Sequence, residues 1–196
     1  MGTKPRLILI AGCNGAGKTT VARVYLPDKV HIKEFVNADE IARGISPYNM
    51  EAVAQQAGRI QIDRIAALLA KSESFAVETT LSSKGMVRWA KEAKTLGYVV
   101  EVIFVYLNSA ALAKERVRLR VVLGGHAIPA DVIERRYYRG IANFMNTIRH
   151  LADEYSLINN SHIPNALIAS KTLLHSERIT DKELFELLEQ KASIIK

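Results

Sequence analysis

Short apolar runs alternate along this chain with longer stretches in which apolar positions follow a helical period. The runs at residues 7–11, 75–77 and 99–107 have the length of buried strands, and the last is the most apolar. Helical periodicity extends over residues 50–72 and again over residues 130–155. Strands that alternate with helices predict an α/β fold, a parallel sheet with helices on both faces. The strand at 99–107 is expected near its centre.

Weaker signals complete the predicted order of elements. A helix at residues 18–25 is expected to end before Pro27. Residues 156–160 and 166–169 are expected to form late edge strands. No repeat, linker or low-complexity segment interrupts the pattern, so residues 1–196 are predicted to form a single domain.

The composition is that of an ordinary globular protein, with 48% hydrophobic and 24% charged residues. No apolar run reaches the roughly 18 residues of a membrane-spanning helix, and the N-terminus lacks the layout of a signal peptide. The single cysteine, Cys13, excludes an intramolecular disulfide. A cytoplasmic protein that is not associated with a membrane is therefore expected.

Residues 12–19 match the phosphate-binding sequence G-x-x-x-x-G-K-[ST] at every fixed position, between a predicted strand and a predicted helix. Glycines let consecutive backbone N–H groups turn towards one anion, and the helix N-terminus adds a partial positive charge. Lys18 is expected to reach the β- and γ-phosphates of ATP, and the Thr19 hydroxyl to ligate Mg²⁺. The residues expected to bind the nucleotide are Gly12, Cys13, Asn14, Gly15, Ala16, Gly17, Lys18, Thr19 and Thr20.

A short strand predicted at residues 33–37 places Asp39 just beyond its carboxyl end. In open parallel sheets the ligand crevice lies outside these ends, so Asp39 can meet a substrate beside the phosphates. The alternative is an N-cap for the turn at residues 40–43, a common role for aspartate. Both roles are compatible, and the catalytic one is preferred.

Polar side chains also follow the strand predicted at residues 75–77. Glu78 and Thr80 leave this buried strand beside the phosphate-binding loop, which indicates contacts with Mg²⁺-bound water or with substrate. Ser82 and Ser83 are interpreted as capping residues of the next helix.

The net charge of +7 makes nucleic-acid binding an alternative function. Between Lys114 and Arg139, however, the chain carries seven basic and three acidic side chains. This excess is concentrated in one segment near the predicted triphosphate site, and a triphosphate accounts for it. Nucleic acid is therefore not the expected partner.

The same segment has the features of a lid. A glycine-containing loop at residues 124–129 separates two predicted helices, with Arg116 and Arg120 on one face of the first and Arg136 on the second. Two arginine-bearing helices joined by glycines predict a lid, at approximately residues 116–140, that closes over phosphates. The alternative is a pair of solvated charged helices.

The remaining motifs favour a phosphotransferase among proteins with this loop. The chain has no Asn-Lys-x-Asp stretch of G proteins and no Leu-Ser-Gly-Gly-Gln signature of transporter ATPases. Phosphoryl transfer needs positioning, charge neutralisation and a base for the attacking hydroxyl. Lys18, Mg²⁺ on Thr19 and lid arginines would neutralise charge, and Asp39 would accept the proton.

Four ordered segments resemble the zeta-toxin family of P-loop kinases. They are residues 10–20, 35–42, 75–82 and 124–137, and the likeness extends over roughly residues 6 to 170. The family includes toxins of toxin–antitoxin pairs that phosphorylate a sugar hydroxyl of UDP-N-acetylglucosamine with ATP. It also includes stand-alone chains called predicted ABC-type ATPases. The resemblance therefore implies a nucleotide-sugar kinase with a possible antitoxin partner.

Site roles follow by position from this resemblance. Asp39 matches the catalytic base and Lys18 the P-loop lysine, whereas Glu78 and Thr80 match the strand end that contacts the sugar nucleotide. The best lid matches, with expected catalytic roles, are Arg120 and Arg136.

Two departures leave the acceptor open. Ser82 stands where the toxins carry an arginine, and Asn159 stands where relatives often have aspartate. The strand end is closer to the stand-alone branch, so toxicity does not follow from the resemblance. The alternative functions are a non-kinase ATP-binding switch and a polynucleotide or nucleoside kinase.

Overall fold

The computed structural model describes residues 4–29 and 32–195. Its strands are β1 Arg6–Ala11, β2 Glu34–Val36, β3 Phe75–Thr79, β4 Val99–Tyr106, β5 Glu154–Asn159, β6 Ala166–Lys171 and β7 Arg178–Ile179. Its helices are α1 Lys18–Lys29, α2 Ala38–Ile45, α3 Ala54–Ala70, α4 Lys84–Thr95, α5 Ala110–Val122, α6 Ala130–Asn143, α7 Arg149–Leu151 and α8 Lys182–Ile194. A π-helical turn, Phe144–Ile148, joins α6 to α7.

The strands form one sheet in the order β2-β3-β1-β4-β5-β6-β7. The first five strands are parallel, and β6 and β7 are antiparallel to their neighbours. The predicted α/β fold is therefore confirmed, as is the central position of β4. The prediction of two late edge strands was wrong, because β5 lies between β4 and β6 and the exposed two-residue β7 covers β6.

Alternate residues of β1 pack on opposite faces of the sheet. Ile8 and Ile10 pack against α1, where Leu26 is buried, whereas Leu7 and Leu9 belong to the main core on the other face. These four side chains of β1 are all fully buried. Because β1 is covered on both faces and on both edges, the loop that follows it starts from a rigid part of the molecule.

Three predicted helices differ from the structure at their ends. The helix predicted at residues 50–72 is α3, which begins at Ala54 and ends at Ala70. Helix α1 continues through Pro27 to Lys29, where the proline occupies the last turn and removes only one terminal hydrogen bond. The helix predicted at 130–155 is interrupted by the π-helical turn and ends at Leu151, since Ala152 is extended. The apolar spacing continues through this turn, so the sequence pattern did not reveal the break.

Candidate active site

The loop between β1 and α1 contains three glycines with positive φ angles: Gly12 (143°), Gly15 (78°) and Gly17 (92°). None of the three has room for a side chain, and a Cβ on Gly15 would lie 2.8 Å from the Ala113 carbonyl oxygen of α5. A Cβ on Gly12 would lie 2.3 Å from the Val105 carbonyl oxygen, and one on Gly17 would lie 2.7 Å from Asn160 Nδ2. The loop therefore needs glycine for its conformation and for its close packing against β4 and the end of β5.

Polar side chains converge where this loop enters α1. Lys18 Nζ donates to the Cys13 carbonyl oxygen at 3.0 Å and lies 3.7 Å from Glu78 Oε1. Glu78 Oε2 accepts hydrogen bonds from Thr19 Oγ1 at 2.8 Å and from Asn37 Nδ2 at 3.0 Å. The carboxylate at the end of β3 is thus bonded to the loop that was predicted to bind phosphate.

This arrangement suits Mg²⁺ held partly by a nucleotide. Hydroxyl and carboxylate oxygens, here Thr19 Oγ1 and Glu78, are hard ligands of the kind that Mg²⁺ prefers, with water and phosphate oxygens completing the shell. In the described part of the chain, no group of three or more His, Cys, Asp or Glu side chains could hold a metal ion. The donor set fits a nucleotide-bound ion better than an all-protein cage.

The Asp39 carboxylate is not a helix cap. Asn37 is the N-cap of α2, and its side-chain oxygen accepts from the backbone N–H groups of Asp39 at 2.8 Å and Glu40 at 3.4 Å. The alternative capping role for Asp39 was therefore wrong. Its side chain is 48% exposed, and Oδ2 lies 3.9 Å from His126 Nε2 of the predicted lid.

Asp39 lines two cavities that also contain residues of the P-loop. The P-loop cavity, about 240 Å³, is lined by Asn14, Gly15, Gly17, Lys18, Thr19, Thr20, Asp39, Glu78, Arg116 and Arg120. The strand-end cleft, about 280 Å³, is lined by Asn14, Lys18, Asn37, Ala38, Asp39, Gln61, Glu78, Thr79, Thr80, Ser82, Ser83, Met86 and Arg136. Asp39 and Glu78 line both cavities. A chemical group bound between these two side chains would therefore contact the P-loop cavity and the strand-end cleft at once.

Arg120 comes from α5 and lines the P-loop cavity beside Arg116. One of its Nη atoms donates to the His126 carbonyl oxygen at 3.3 Å, but its buried Nε has no hydrogen-bond partner among the described residues. Arg116 is instead bonded to the Ser161 carbonyl at 3.2 Å. Arg120 thus presents to the P-loop cavity a guanidinium whose donors are only partly satisfied by the described residues.

Arg136 comes from α6, on the other side of the lid loop. It donates to Asn14 Oδ1 of the P-loop at 3.2 Å and lines the strand-end cleft, whereas Arg135 does not line either cavity. Burial lowers the pKa of Arg136 from its usual value, against the opposing charge of Asp39. The structure therefore brings Arg116 and Arg120 of α5 and Arg136 of α6 to the P-loop, whereas Arg135 lies outside both cavities.

The other predicted site residues lie nearby. Thr80 faces the strand-end cleft, where its hydroxyl is 2.9 Å from Ser82 Oγ, and Thr20 lines the P-loop cavity. Ser83 occupies the predicted N-cap position of α4 but makes no side-chain capping bond, whereas Ser82 is not the cap. Burial raises the pKa of the Cys13 thiol to about 11, which leaves it a packing residue.

Three residues of the site were not predicted from the sequence. Asn37 was identifiable from its position before a helix, since asparagine is a common N-cap. Gln61, whose side-chain nitrogen donates to the Glu78 carbonyl at 3.5 Å, belongs to a long helix that shows only a core pattern. Asn160 donates to the Ala16 carbonyl at 2.8 Å and supports the P-loop from a distant strand end.

No helix in the described residues is long and apolar enough to cross a membrane.

Comparison with known proteins gives a consistent set of relatives. A family model described as zeta toxin matches residues 1–173. An uncharacterized protein of Haemophilus influenzae is 32% identical over 132 residues, which cover 67% of this chain and 92% of the relative.

Solved structures show the same fold at low sequence identity. The AvrRxo1-ORF1:AvrRxo1-ORF2 structure with sulphate ions matches with a TM-score of 0.78 and 19% identity over 95% of this chain. The AvrRxo1-ORF1:-ORF2 structure with ATP has a TM-score of 0.76 at 19% identity over the same share. The chain spans 64% of the length of both. A structure from the PezAT chromosomal toxin–antitoxin system of Streptococcus pneumoniae matches with a TM-score of 0.62 and 14% identity, covering 100% of this chain and 89% of that one.

Proposed function

The chain belongs to the zeta toxin family, and from this premise we propose that it is an ATP-dependent kinase. It transfers the γ-phosphoryl group to a hydroxyl of a nucleotide sugar such as UDP-N-acetylglucosamine. The observation that carries the proposal is the position of Asp39, whose carboxylate lines both the P-loop cavity and the strand-end cleft. A switch that only binds ATP has no need of a carboxylate at that point.

The triphosphate is held from three directions in this proposal. Backbone N–H groups of the P-loop and the N-terminus of α1 surround the β-phosphate, and Lys18 lies where it neutralises charge. Arg120 supplies a guanidinium that lines the P-loop cavity. These groups are already in position before the reaction. Electrostatic catalysis is effective for this reason, because no free energy is spent on reorganising them in the transition state.

Mg²⁺ would be bound by the Thr19 hydroxyl, with Glu78 accepting from that hydroxyl or from a metal-bound water. Mg²⁺ held there would supply positive charge that offsets the negative charge of the phosphates. Lys18, 3.7 Å from Glu78, balances the charge of this carboxylate.

The acceptor hydroxyl enters from the strand-end cleft, beside Glu78 and Thr80. Asp39 accepts its proton as the new oxygen–phosphorus bond forms and the bond between the γ-phosphorus and the bridging oxygen of ADP breaks. Arg136, bonded to Asn14 of the P-loop, lines the strand-end cleft, where it would stabilise charge on the transferred group.

Transfer of label from γ-labelled ATP to a panel of acceptors tests the proposal. The panel contains nucleotide sugars, nucleosides and oligonucleotides, with an Asp39→Asn variant as the control for each acceptor. We expect that the wild-type protein transfers label to a nucleotide sugar and that the Asp39→Asn variant does not. Label only on oligonucleotide ends would support a polynucleotide kinase, and ATP binding without transfer to any acceptor would support a switch.

We also propose a cytoplasmic location, where ATP and nucleotide sugars are available, and an antitoxin as the protein partner. The partner is suggested by the PezAT structure, which comes from a toxin–antitoxin system. Expression of the chain alone in a bacterial host is expected to arrest growth, and the Asp39→Asn variant is expected not to. Normal growth with active wild-type protein would argue against a toxin.

A further inference from the structure

The chain leaves β3 through a backbone conformation that leucine rarely adopts. Leu81 has a φ angle of 54°, in the left-handed region, and its side chain is fully buried. Its N–H donates to Thr79 Oγ1 at 2.9 Å. On either side of Leu81, the hydroxyls of Thr80 and Ser82 lie 2.9 Å apart, and both residues line the strand-end cleft. Strained backbone of this kind persists only where the surrounding structure holds it.

Helix α6 supplies the groups that hold the end of β3. Asn143 Nδ2 donates to the Leu81 carbonyl oxygen at 2.7 Å, so the strained residue is anchored through its backbone. One helical turn earlier, the buried Gly140 packs directly against the Thr80 carbonyl, and a Cβ on this glycine would lie 2.7 Å from the carbonyl oxygen. Two successive turns of α6 therefore contact two successive carbonyl groups at the end of β3.

Arg136 lies on the same face of α6. Positions 136, 140 and 143 follow one another at intervals of one helical turn, which places them on one side of the helix. Arg136 donates to Asn14 Oδ1 of the P-loop at 3.2 Å and lines the strand-end cleft. The next residue, the buried Tyr137, donates from its hydroxyl to the Leu107 carbonyl just beyond β4 at 2.9 Å. One face of α6 thus joins the P-loop to the end of β3.

The contact between Gly140 and Thr80 fixes the spacing of these two parts. Ordinary van der Waals contact begins near 3.4 Å, so a Cβ that starts at 2.7 Å would have to move away by about 0.7 Å. The atom in its way is a backbone oxygen, which cannot turn aside as the end of a flexible side chain can. Either α6 or the end of β3 would shift, and Arg136 would change its distance from the hydroxyls of the cleft.

We infer that Gly140 and Asn143 are positioning residues, which hold α6 and the end of β3 at the spacing that phosphoryl transfer requires. The inference rests on the proposed kinase function, in which Arg136 stabilises charge on the transferred group. Neither positioning residue lines the P-loop cavity or the strand-end cleft, so both act through Arg136. A misplacement of about 1 Å can lower a rate by about 100-fold, because the stabilising charge no longer coincides with the reacting group.

Gly140→Ala tests the close packing, with Gly58→Ala as its matched control. A Cβ on Gly58, inside α3, would meet no other part of the molecule within 4 Å. Both changes place alanine in a helix, where it is favoured over glycine, so the variants differ in the contact with Thr80. Gly140→Ala is expected to lower kcat by about 10- to 100-fold and to keep the ATP dissociation constant within about twofold of wild type. Gly58→Ala is expected to keep both.

Asn143→Ala tests the second contact, and it decides the inference alone if Gly140→Ala does not fold. Its matched control is Asn146→Ala, because Asn146 Nδ2 donates to the Ala192 carbonyl of α8 at 2.9 Å. Each variant loses one amide hydrogen bond to a carbonyl, so both are expected to lose a similar amount of stability. Only Asn143→Ala is expected to lower kcat, by about 3- to 10-fold. Equal turnover of the two variants would overturn the role of Asn143, and wild-type turnover of Gly140→Ala would overturn that of Gly140.

The route through Arg136 is tested by combining the variants. A positioning effect needs its arginine, so in an Arg136→Gln protein either change is expected to lower kcat by less than about twofold further. General damage to the fold would lower kcat by the same factor with and without Arg136. Equal factors in the two backgrounds, or a raised KM for the acceptor with kcat retained, would overturn the inference and leave the kinase function intact.

A last measurement needs no acceptor and separates this inference from the proposed function. If the wild-type protein phosphorylates no member of the acceptor panel, the kinase function fails. Calorimetric titration with ADP, Mg²⁺ and aluminium fluoride, which occupies the place of the transferred group, still decides the positioning role. Gly140→Ala is expected to bind this complex about 10-fold more weakly than Gly58→Ala does, with equal affinities for ADP and Mg²⁺ alone. Equal binding of the fluoride complex by the two variants would overturn the inference.

Discussion

At the scale of single residues, the surroundings of Asp39 distinguish a base from a helix cap. Asn37 makes both capping hydrogen bonds of α2, and the Asp39 carboxylate is left half exposed between two cavities. Its neighbours include Glu78, which is already occupied by bonds from Thr19 and Asn37. Of the two carboxylates in the site, Asp39 is therefore the one available to accept a proton.

Replacing Asp39 with asparagine keeps the shape of the side chain and removes the base. Phosphoryl transfer is expected to fall by about 10²–10⁴-fold, the usual contribution of positioned acid–base catalysis, while ATP binding stays close to wild type. Acceptor phosphorylation and an ATP titration on one preparation measure the two effects. Asn37→Ala is the contrast, expected to lower the free energy of unfolding by about 0.5–2 kcal/mol through loss of the cap. Unchanged transfer in Asp39→Asn would move the search for a base to Glu78.

Lys18 has a different role, because its buried ammonium group contacts the P-loop carbonyl of Cys13 and the carboxylate of Glu78. Lys18→Ala is expected to abolish tight binding of ATP with Mg²⁺, since the phosphates lose their nearest cation. The fold is expected to survive, because Glu78 keeps its hydrogen bonds from Thr19 and Asn37. Calorimetry measures binding, and circular dichroism checks folding. Wild-type affinity in a folded variant would contradict the role of Lys18.

At the scale of elements, the proposed lid brings arginines of both α5 and α6 to the P-loop. Neutralising Arg120 or Arg136 with glutamine is expected to lower kcat far more than ATP affinity, because such arginines stabilise charge in the transition state. An arginine finger is worth about 10³–10⁵ in rate, which sets the upper range of the effect. Steady-state kinetics and ATP titration measure the difference, with Arg118→Gln on the exposed side of α5 as the control. Near-normal turnover in both variants would assign the role to Arg116 or to none of these arginines.

His126, in the loop of the proposed lid, places its Nε2 3.9 Å from Oδ2 of Asp39, the proposed base. Its pKa is lowered from its usual value first by burial; the charge of Asp39 opposes this shift, and Arg120, Arg43 and Arg136 add to it. The docked lid thus favours the neutral imidazole, because the pKa in the docked state lies below that of an exposed histidine, about 6.5. The contribution of His126 to docking is complete above this pH and is lost as the pH falls through the lowered value.

Activity is therefore expected to decline on acidification more steeply in the wild-type protein than in His126→Asn. The asparagine keeps a polar side chain near Asp39 but cannot gain a charge. Profiles of kcat/KM against pH for both proteins, from neutral to acidic pH, measure the difference. Superimposable profiles would show that His126 titration does not influence the lid.

At the scale of the whole molecule, the P-loop is packed into the sheet rather than laid on its surface. Gly12 lies against the backbone of β4, where a Cβ would approach the Val105 carbonyl to 2.3 Å. Gly97, which ends α4, has a similar need for positive φ but open space around it. Substitutions at Gly97 and Gly12 can therefore distinguish the cost of a strained backbone from the additional cost of a steric clash.

Gly12→Ala is expected to destabilise the protein by more than Gly97→Ala. The variant at Gly97 bears only the cost of a left-handed alanine, about 1–2 kcal/mol, whereas the variant at Gly12 must also displace a strand. Denaturant unfolding of both variants measures the difference. Equal decreases in the free energy of unfolding would mean that the P-loop accommodates the added Cβ by moving, without displacing β4.

Much of the site could be predicted from the sequence because its main parts are local. The P-loop is a contiguous segment between one strand and one helix, and Asp39 and Glu78 each follow a recognisable short strand. Parallel strands bring such ends to the same edge of a sheet, so these residues were expected to meet. The choice between base and cap for Asp39 could not be made, because it depends on which of two polar neighbours reaches the first N–H groups of α2.

The sequence by itself determined the P-loop, the alternating α/β order, the central β4 and the segment that holds the lid arginines. These features depend on the period of apolar residues and on contiguous motifs, which are properties of neighbours along the chain. Only the tertiary structure decided which arginines reach the P-loop, that Asn160 supports it, and that Gly140 and Asn143 contact the end of β3. Such arrangements join side chains far apart in the chain, and their positions follow from the packing of α5, α6 and α8 against the sheet. A pattern of residue types carries no information about that packing until the chain is folded.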